Sequence, residues 1–262
     1  MSPLRAPSTL ICRVLDEDPD LGDAIEPALR PRALEDCVAP VTRLPRGGWT
    51  PAAGDAAIRA GIGLMVLDGL LLRRVGVDGR FGAELLGDGD LIRPWPGEWD
   101  TGTLGQTTGW RVLKPTRLAL LDDAVAARFA AYPQLTGRLV ARALERSRNL
   151  AVNMAIVHQA RVNVRLHMLF WHLADRWGRV RSEGVALPLR LTHSVLADLV
   201  AARRPTVTSA LSELARQGLV VPRGSGWLLS GEPPGELLEI QEIEVPLGQD
   251  AATRRGSPFD DR

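Results

Sequence analysis

"LVAARRPTVTSALSELARQGLV" runs from Leu199 to Val220. Two arginines lead straight into a proline, hydroxyl residues follow, and apolar residues recur at helical spacing. Arg203 and Arg204 stand at the mouth of a helix, where the backbone dipole is already positive. They do nothing for helix stability there, and their placement points to an anion in front of the helix. Pro205 reads as the first helical residue, where its fixed φ suits the start and its missing N–H is not needed. Val207, Ala210, Leu211 and Leu214 mark a buried stripe, and Gly218 marks the end.

Upstream, Thr192 reads as the N-cap of a shorter helix with Val195, Leu196 and Leu199 on one face, closed by Ala201-Ala202. Two short helices joined by a tight turn at Arg203-Arg204 make a helix-turn-helix unit. Off the buried stripe, the second helix carries Thr206, Thr208, Ser209 and Ser212. That small, uncharged face allows close approach to a duplex. Its hydroxyls suit phosphates or base edges, and a threonine methyl suits the methyl of thymine. "LVVPRGSGWLLSG" (219–231) reads as two strands around a tight turn, a wing that sets Arg223 against backbone phosphate.

Charge agrees with this placement. The chain has 262 residues and a net charge of +1. Residues 1–134 hold 15 basic and 18 acidic side chains, residues 135–230 hold 14 and 5, and residues 231–262 hold 3 and 8. A basic third inside a near-neutral chain is the footprint of a polyanion-binding module. Lys114 is the sole lysine, so arginine carries nearly all the positive charge. Apolar content of 45% is ordinary for a globular protein. No apolar run approaches the roughly 20 residues of a membrane span, and the first residues lack a signal-peptide core. The expectation is a cytoplasmic protein with no membrane partner. Cys12 and Cys37 read as reduced structural thiols.

Residues 1–20 read as a flexible N-terminus. "AGIGLMVLDGLLLRRVGVDGRFGAELLGDGDLIRPW" (60–95) is apolar runs cut by Asp-Gly pairs at 68–69, 78–79 and 88–89, each a hairpin signal. With "WRVLKPTRLALLD" (110–122) as the last strands, residues 21–134 read as an antiparallel jelly roll. A short helix after Asp122 is stopped by Pro133. Residues 135–160 read as a long helix with two apolar seams: Val140, Leu144, Ala151 and Met154 on one, and Leu139, Ala143, Leu150 and Val157 on its neighbour. Two seams suit a helix that packs on its own domain and on a second copy. Leu166, Leu169, Phe170 and Leu173 form the core face of the next helix, ending at Gly178. Residues 161–231 read as the winged unit, and 232–262 as an acidic tail. The fold class is α+β.

A jelly roll, a long interfacial helix and a C-terminal winged helix-turn-helix, in this order, resemble the Crp/Fnr family of bacterial transcription regulators. The resemblance covers roughly residues 40–231. "VLDGLLLRRVGVDGRFGAELLGDGDL" is similar to the family's cyclic-nucleotide-binding-like roll, and "LTHSVLADLVAARRPTVTSALSELARQGLV" to its DNA-reading unit. The resemblance implies a homodimer through the 135–160 helix on a palindromic site in double-stranded DNA, with RNA polymerase as a further partner. It places Arg204, Pro205 and Ser209 at base-contacting positions, and Thr192, Arg203 and Thr206 at phosphate-contacting ones. Pro205 and Ser209 depart from the Glu and Arg that many members carry.

The family's best-known ligand, cyclic AMP, is not expected here. Gly97-Glu98 is displaced from the ribose-binding place, and no basic residue lies between Arg93 and Arg111 to meet the phosphate. The adenine-contacting hydroxyls of the long helix appear as Leu150 and Ala151. All four histidines follow residue 157, so the roll has no His cluster for a metal. Neither a P-loop nor a nucleophile with a recognisable base is present. The expectation is a regulator and no enzyme, with no cofactor and the effector unassigned. Trp49, Trp95, Trp99 and Trp110 read either as core or as the lining of an apolar pocket. The rival readings are a cupin-like small-molecule enzyme and a signalling module whose winged helix binds protein.

Overall fold

The computed structural model describes residues 10–51, 56–95 and 105–234. The first part comprises β1 (Leu10–Arg13), α1 (Val14–Glu17), α2 (Pro19–Asp23), α3 (Arg30–Asp36), β2 (Val38–Leu44), β3 (Gly47–Trp49), α4 (Ala56–Ala60), β4 (Gly63–Val77), β5 (Arg80–Leu86), β6 (Leu91–Ile92) and β7 (Gln106–Leu121). Then come α5 (Asp123–Phe129), the long α6 (Pro133–His158), α7 (Val162–Trp177), β8 (Arg179–Arg181), β9 (Gly184–Leu187), α8 (His193–Leu199), α9 (Arg204–Arg216), β10 (Val220–Arg223) and β11 (Gly226–Leu229). Strands β1 to β7 form an antiparallel roll of jelly-roll type in the order β1-β2-β7-β4-β5, with β3 on β7 and β6 on β4. A second antiparallel sheet, β10-β11-β9-β8, lies in the C-terminal part.

Of the three Asp-Gly pairs, only Asp78-Gly79 turns a hairpin. Both residues take positive φ, 50° and 72°, and Val77 pairs with Arg80 across a two-residue loop. Asp88-Gly89 makes a loop between β5 and β6, which pair with successive stretches of β4. Asp68-Gly69 does not turn the chain. It lies inside β4, where the register against β7 slips between Val66 and Leu71. The slip changes which side chains face inward. Before it, Leu64 and Val66 fill the roll interior while Met65 and Leu67 pack under the N-terminal helices. After it, Leu71 faces the interior and Leu70 and Leu72 face the C-terminal unit. A strand alternates with period two, so one slipped residue exchanges the faces.

The bulge is held by β7. Pro115 has no N–H to offer the ladder, and such residues are tolerated at bulges. Buried Thr116 supplies the missing bonds: its hydroxyl donates to the Lys114 carbonyl at 2.8 Å and accepts from Leu70 N–H at 3.3 Å. Gly69 sits at φ 123°, and a Cβ there would come within 2.6 Å of the Thr116 backbone.

Residues 10–20 are not loose. β1 pairs with β2 from Leu10↔Val41 to Arg13↔Val38, and Val14, Leu15 and Cys12 are buried. Helical pieces of four and five residues are too short to show a period, which hid this cap from the sequence. Cys12 and Cys37 are free and buried. Desolvation, then the Asp36 charge, pushes the Cys37 thiol up to about 11, so it stays protonated at neutral pH. Trp95 and Trp110 are core residues, with Trp49 edge-on to Trp110 at 5.4 Å; Trp99 lies outside the described residues.

Asp122 caps α5 by accepting from Val125 N–H at 2.9 Å. Pro133 lies beyond α5 and opens α6 as its first residue. With 26 residues, α6 is about 39 Å long. The two seams are covered unequally. Of the second, Leu139 packs into the roll beside Leu135, Leu150 and Val157 are half-buried and Ala143 is exposed; of the first, Val140, Leu144 and Met154 are 52%, 64% and 64% exposed and Ala151 is also exposed. Arg142 clasps Asp18, and Arg146 clasps Glu84, fastening the helix to the roll. Among the described residues no helix is long and apolar enough to cross a membrane.

Gly69→Ala is expected to lose about 2–4 kcal/mol of stability, because positive φ and the Thr116 clash add. Thr116→Val, which orphans the Leu70 N–H, is expected to lose about 1–3 kcal/mol. Urea unfolding of the purified variants reads both.

Candidate nucleic-acid interface

The C-terminal unit is built on α7. Leu166, Leu169, Phe170 and Leu173 meet Val195, Leu196 and Leu199 of α8 and Val207, Ala210, Leu211 and Leu214 of α9 in one cluster. Phe170 is fully buried against Trp227 of β11, ring centroids 4.9 Å apart. Leu70, Leu72 and Leu85 of the roll join the same cluster. Thr192 caps α8: its hydroxyl accepts from Val195 N–H at 3.3 Å.

The turn between the two helices falls earlier than the sequence implies. Ala201 takes φ 49°, and Ala202 N–H bonds the Ala197 carbonyl at 3.0 Å. The chain reverses over Val200–Ala202, so Arg203 is the N-cap of α9, Arg204 its first residue and Pro205 its second. A left-handed position is usually marked by glycine, and here an alanine fills it without any local sequence signal. Arg203 makes no cap bond with its side chain. Arg203, Arg204, Pro205, Thr206, Thr208, Ser209 and Ser212 are all exposed, beside the buried stripe.

The hydroxyls of α9 are committed in direction. Thr208 donates to the Arg204 carbonyl at 3.1 Å, Ser209 to Pro205 at 3.3 Å and Ser212 to Thr208 at 3.1 Å. Each proton points back one turn, leaving lone pairs and the threonine methyl outward. With their protons spent on the helix backbone these groups are acceptors toward an outside partner, suited to the amino groups of adenine and cytosine rather than to phosphate.

Arg223 sits at the wing turn, where Arg223 pairs with Gly226. It is exposed and held by Glu183 at 3.0 and 3.3 Å. Glu183 lies in the turn between β8 and β9, a hairpin that extends the wing sheet and that the sequence did not disclose. His193, also unforeseen, opens α8 and places Nδ1 2.9 Å from the Thr208 hydroxyl. The two lie 15 residues apart and meet only because α8 and α9 pack.

A cleft of ≈ 390 Å³ separates the roll from α6 and α7. Its arginines are engaged: Arg142 with Asp18, Arg146 with Glu84, and Arg176 with Asp90 at 2.9 Å. Leu150 lines it and Ala151 is exposed; Gly97-Glu98 lies outside the described residues. Burial pushes the His172 imidazole below its ordinary range, opposed by the Asp175 charge. Burial raises the Asp198 carboxyl, countered by Arg74, which pairs with it at 3.5 Å across to β4. At the α6–α7 junction Gln159 is extended, and its carbonyl accepts from Arg165 Nε at 2.6 Å. Arg165 also reaches the Val200 carbonyl at 3.2 Å, tying the junction to the turn before α9. Among the described residues no group of three His, Cys, Asp or Glu is arranged to hold a metal.

Residues 164–230 match the family model of the Crp-like helix-turn-helix domain. The chain is similar in structure to a CooA mutant from Carboxydothermus hydrogenoformans: 13% identity, 87% of this chain, 94% of that chain, TM-score 0.58. It is also similar to CLP, the c-di-GMP responsive global regulator of Xanthomonas campestris: 18%, 73% and 94%, TM-score 0.54. FixK2 from Bradyrhizobium japonicum compares at 18%, 73% and 93%, TM-score 0.53. No curated protein matches the chain by sequence. The fold is Crp/Fnr-like: a cyclic-nucleotide-binding-type roll followed by a Crp-like helix-turn-helix.

A histidine whose folded form resists protonation lends its full stability above its ordinary value of about 6.5 and loses it as pH falls toward the lowered value. His172→Gln is therefore expected to flatten the drop in thermal midpoint from neutral to mildly acid pH, measured beside the parent protein.

Proposed function

We propose that this protein is a sequence-specific, DNA-binding transcription regulator of the Crp/Fnr type that acts as a dimer on a palindromic site. One observation carries the reading: the outer face of α9 is exposed from Arg203 to Ser212, cationic at its head and small and polar along its length. The basic balance of residues 135–230 supports it. So does the uncovered seam of α6, where Val140, Leu144, Ala151 and Met154 await an identical seam.

In this reading two α6 helices pair across a twofold axis, and each α9 enters a major groove about 34 Å from its mate. Arg203, Thr192 and Thr206 position the unit on phosphate, with Arg204 reading a guanine edge. Thr208, Ser209 and Ser212 accept from base amino groups, and Pro205 offers apolar contact. Arg223 reaches phosphate once it exchanges Glu183 for DNA. The roll is a sensor that does not bind cyclic AMP, consistent with the paired arginines of the cleft. RNA polymerase is the further partner and the cytoplasm the compartment. An effector acts by shifting the population of DNA-competent dimers through the Gln159–Val162 junction.

Gel shifts with genomic fragments test the reading: affinity is expected to fall steeply as salt rises. Arg204→Ala is expected to lose about 1–3 kcal/mol of discrimination at one base pair. Unchanged binding to specific and random DNA would refute the assigned readout. Leu144→Glu is expected to yield monomers in analytical ultracentrifugation while keeping its fold by circular dichroism.

A further inference from the structure

The Thr208 hydroxyl has one proton and two neighbours, the Arg204 carbonyl at 3.1 Å and His193 Nδ1 at 2.9 Å. Both hydrogen bonds form together only when Thr208 donates to the carbonyl and His193 Nδ1–H donates to Thr208. In neutral His193 this leaves Nε2 as a bare lone pair. Among the described residues Thr208 is the ring's hydrogen-bond partner, so Nε2 has no protein group to meet. The ring is half-buried beside Thr192 and Thr208, both exposed on the face assigned to DNA.

The elements packed on α8 carry charged groups of both signs. α8 packs on α9 and β5. Of the acidic groups there, Glu213 of α9 is bound by Arg216 and Gln217, Glu84 of β5 by Arg73 and Arg146, and Asp198 of α8 by Arg74. The cations are Arg203 and Arg204 at the head of α9, Arg216 at its end, Arg80 of β5 and Arg190 before α8. Among the described residues no carboxylate is bonded to the ring.

We propose that His193 is a proton-linked phosphate contact: as imidazolium it keeps Nδ1–H on Thr208 and donates Nε2–H to a backbone phosphate of the duplex lying across α9. This rests on the DNA-binding reading above. The neutral ring turns a lone pair toward the phosphate and repels it; the proton taken up on binding converts repulsion into a charge-assisted hydrogen bond. The Thr208 network stays in place in both states, so only Nε2 changes role.

The test is fluorescence anisotropy with a labelled random-sequence duplex at fixed ionic strength between about pH 5.5 and 8. The wild-type protein is expected to tighten about five- to tenfold toward acid pH relative to His193→Gln. His158, His167 and His172 remain in that variant, so the difference isolates His193. His193→Arg is expected to bind at high pH as tightly as the wild type does at low pH, with the His193→Gln slope. Calorimetry in buffers of different ionisation enthalpy is expected to show more proton uptake in the wild type than in His193→Gln. Equal pH slopes for wild type and His193→Gln, with DNA binding intact, would overturn the proposal and leave the DNA reading standing. Failure of all three proteins to bind DNA at any pH or salt would overturn both.

Discussion

The slip at Asp68-Gly69 decides how the two halves of this chain meet. A regular β4 would turn Leu70 and Leu72 into the roll beside Leu64 and Val66, and Leu71 outward. With the slip, Leu71 fills the interior and Leu70 and Leu72 enter the cluster around Phe170 and Leu196. The roll and the winged unit therefore share a core. Opening between them exposes leucines, so the two halves resist separating, and a shift in β4 or β5 is felt by α8. The slip is itself held by two residues far away in sequence, Pro115 and Thr116.

Charged contacts around that core pull the same way. Arg74 reaches Asp198, Arg176 reaches Asp90, and Arg165 joins the α6–α7 junction to the turn before α9. Arg142 and Arg146 fasten α6 to the roll. Each of these guanidiniums is engaged by a group of the chain. Arg203 and Arg204 are not among them: they stand exposed at the start of α9. The excess of positive charge over residues 135–230 is thus two populations, one structural and one facing solvent. Net charge cannot separate them, because it records number and not partner.

Much of α9 is legible in the sequence. Val207, Ala210, Leu211 and Leu214 follow the helical period, and Gly218 ends the helix with φ 72°. Thr192 is a cap by sequence and by geometry. Asp78-Gly79 was legible as a hairpin because the strands beside it pair with each other. Asp68-Gly69 carried the same letters and was not a turn, since its neighbours pair with β7 instead. The β8 strand, "RVR", was invisible: all three residues are exposed and show no alternation. The directions of the α9 hydroxyls and the partners of Arg223 and His193 were equally out of reach. They depend on which helix or loop lies alongside.

The sequence alone determined the buried stripe and the polar face of α9 and the Thr192 cap of α8, because those rest on interactions within one or two turns. It also determined that α6 has two apolar seams. Only the tertiary structure decided how much of each seam stays uncovered, where the helix-turn-helix actually turns, and which arginines remain available. Those outcomes rest on contacts between residues far apart in the chain. Glu84 with Arg146, Leu70 with Thr116 and Thr208 with His193 come together only when the packing of whole elements brings them there.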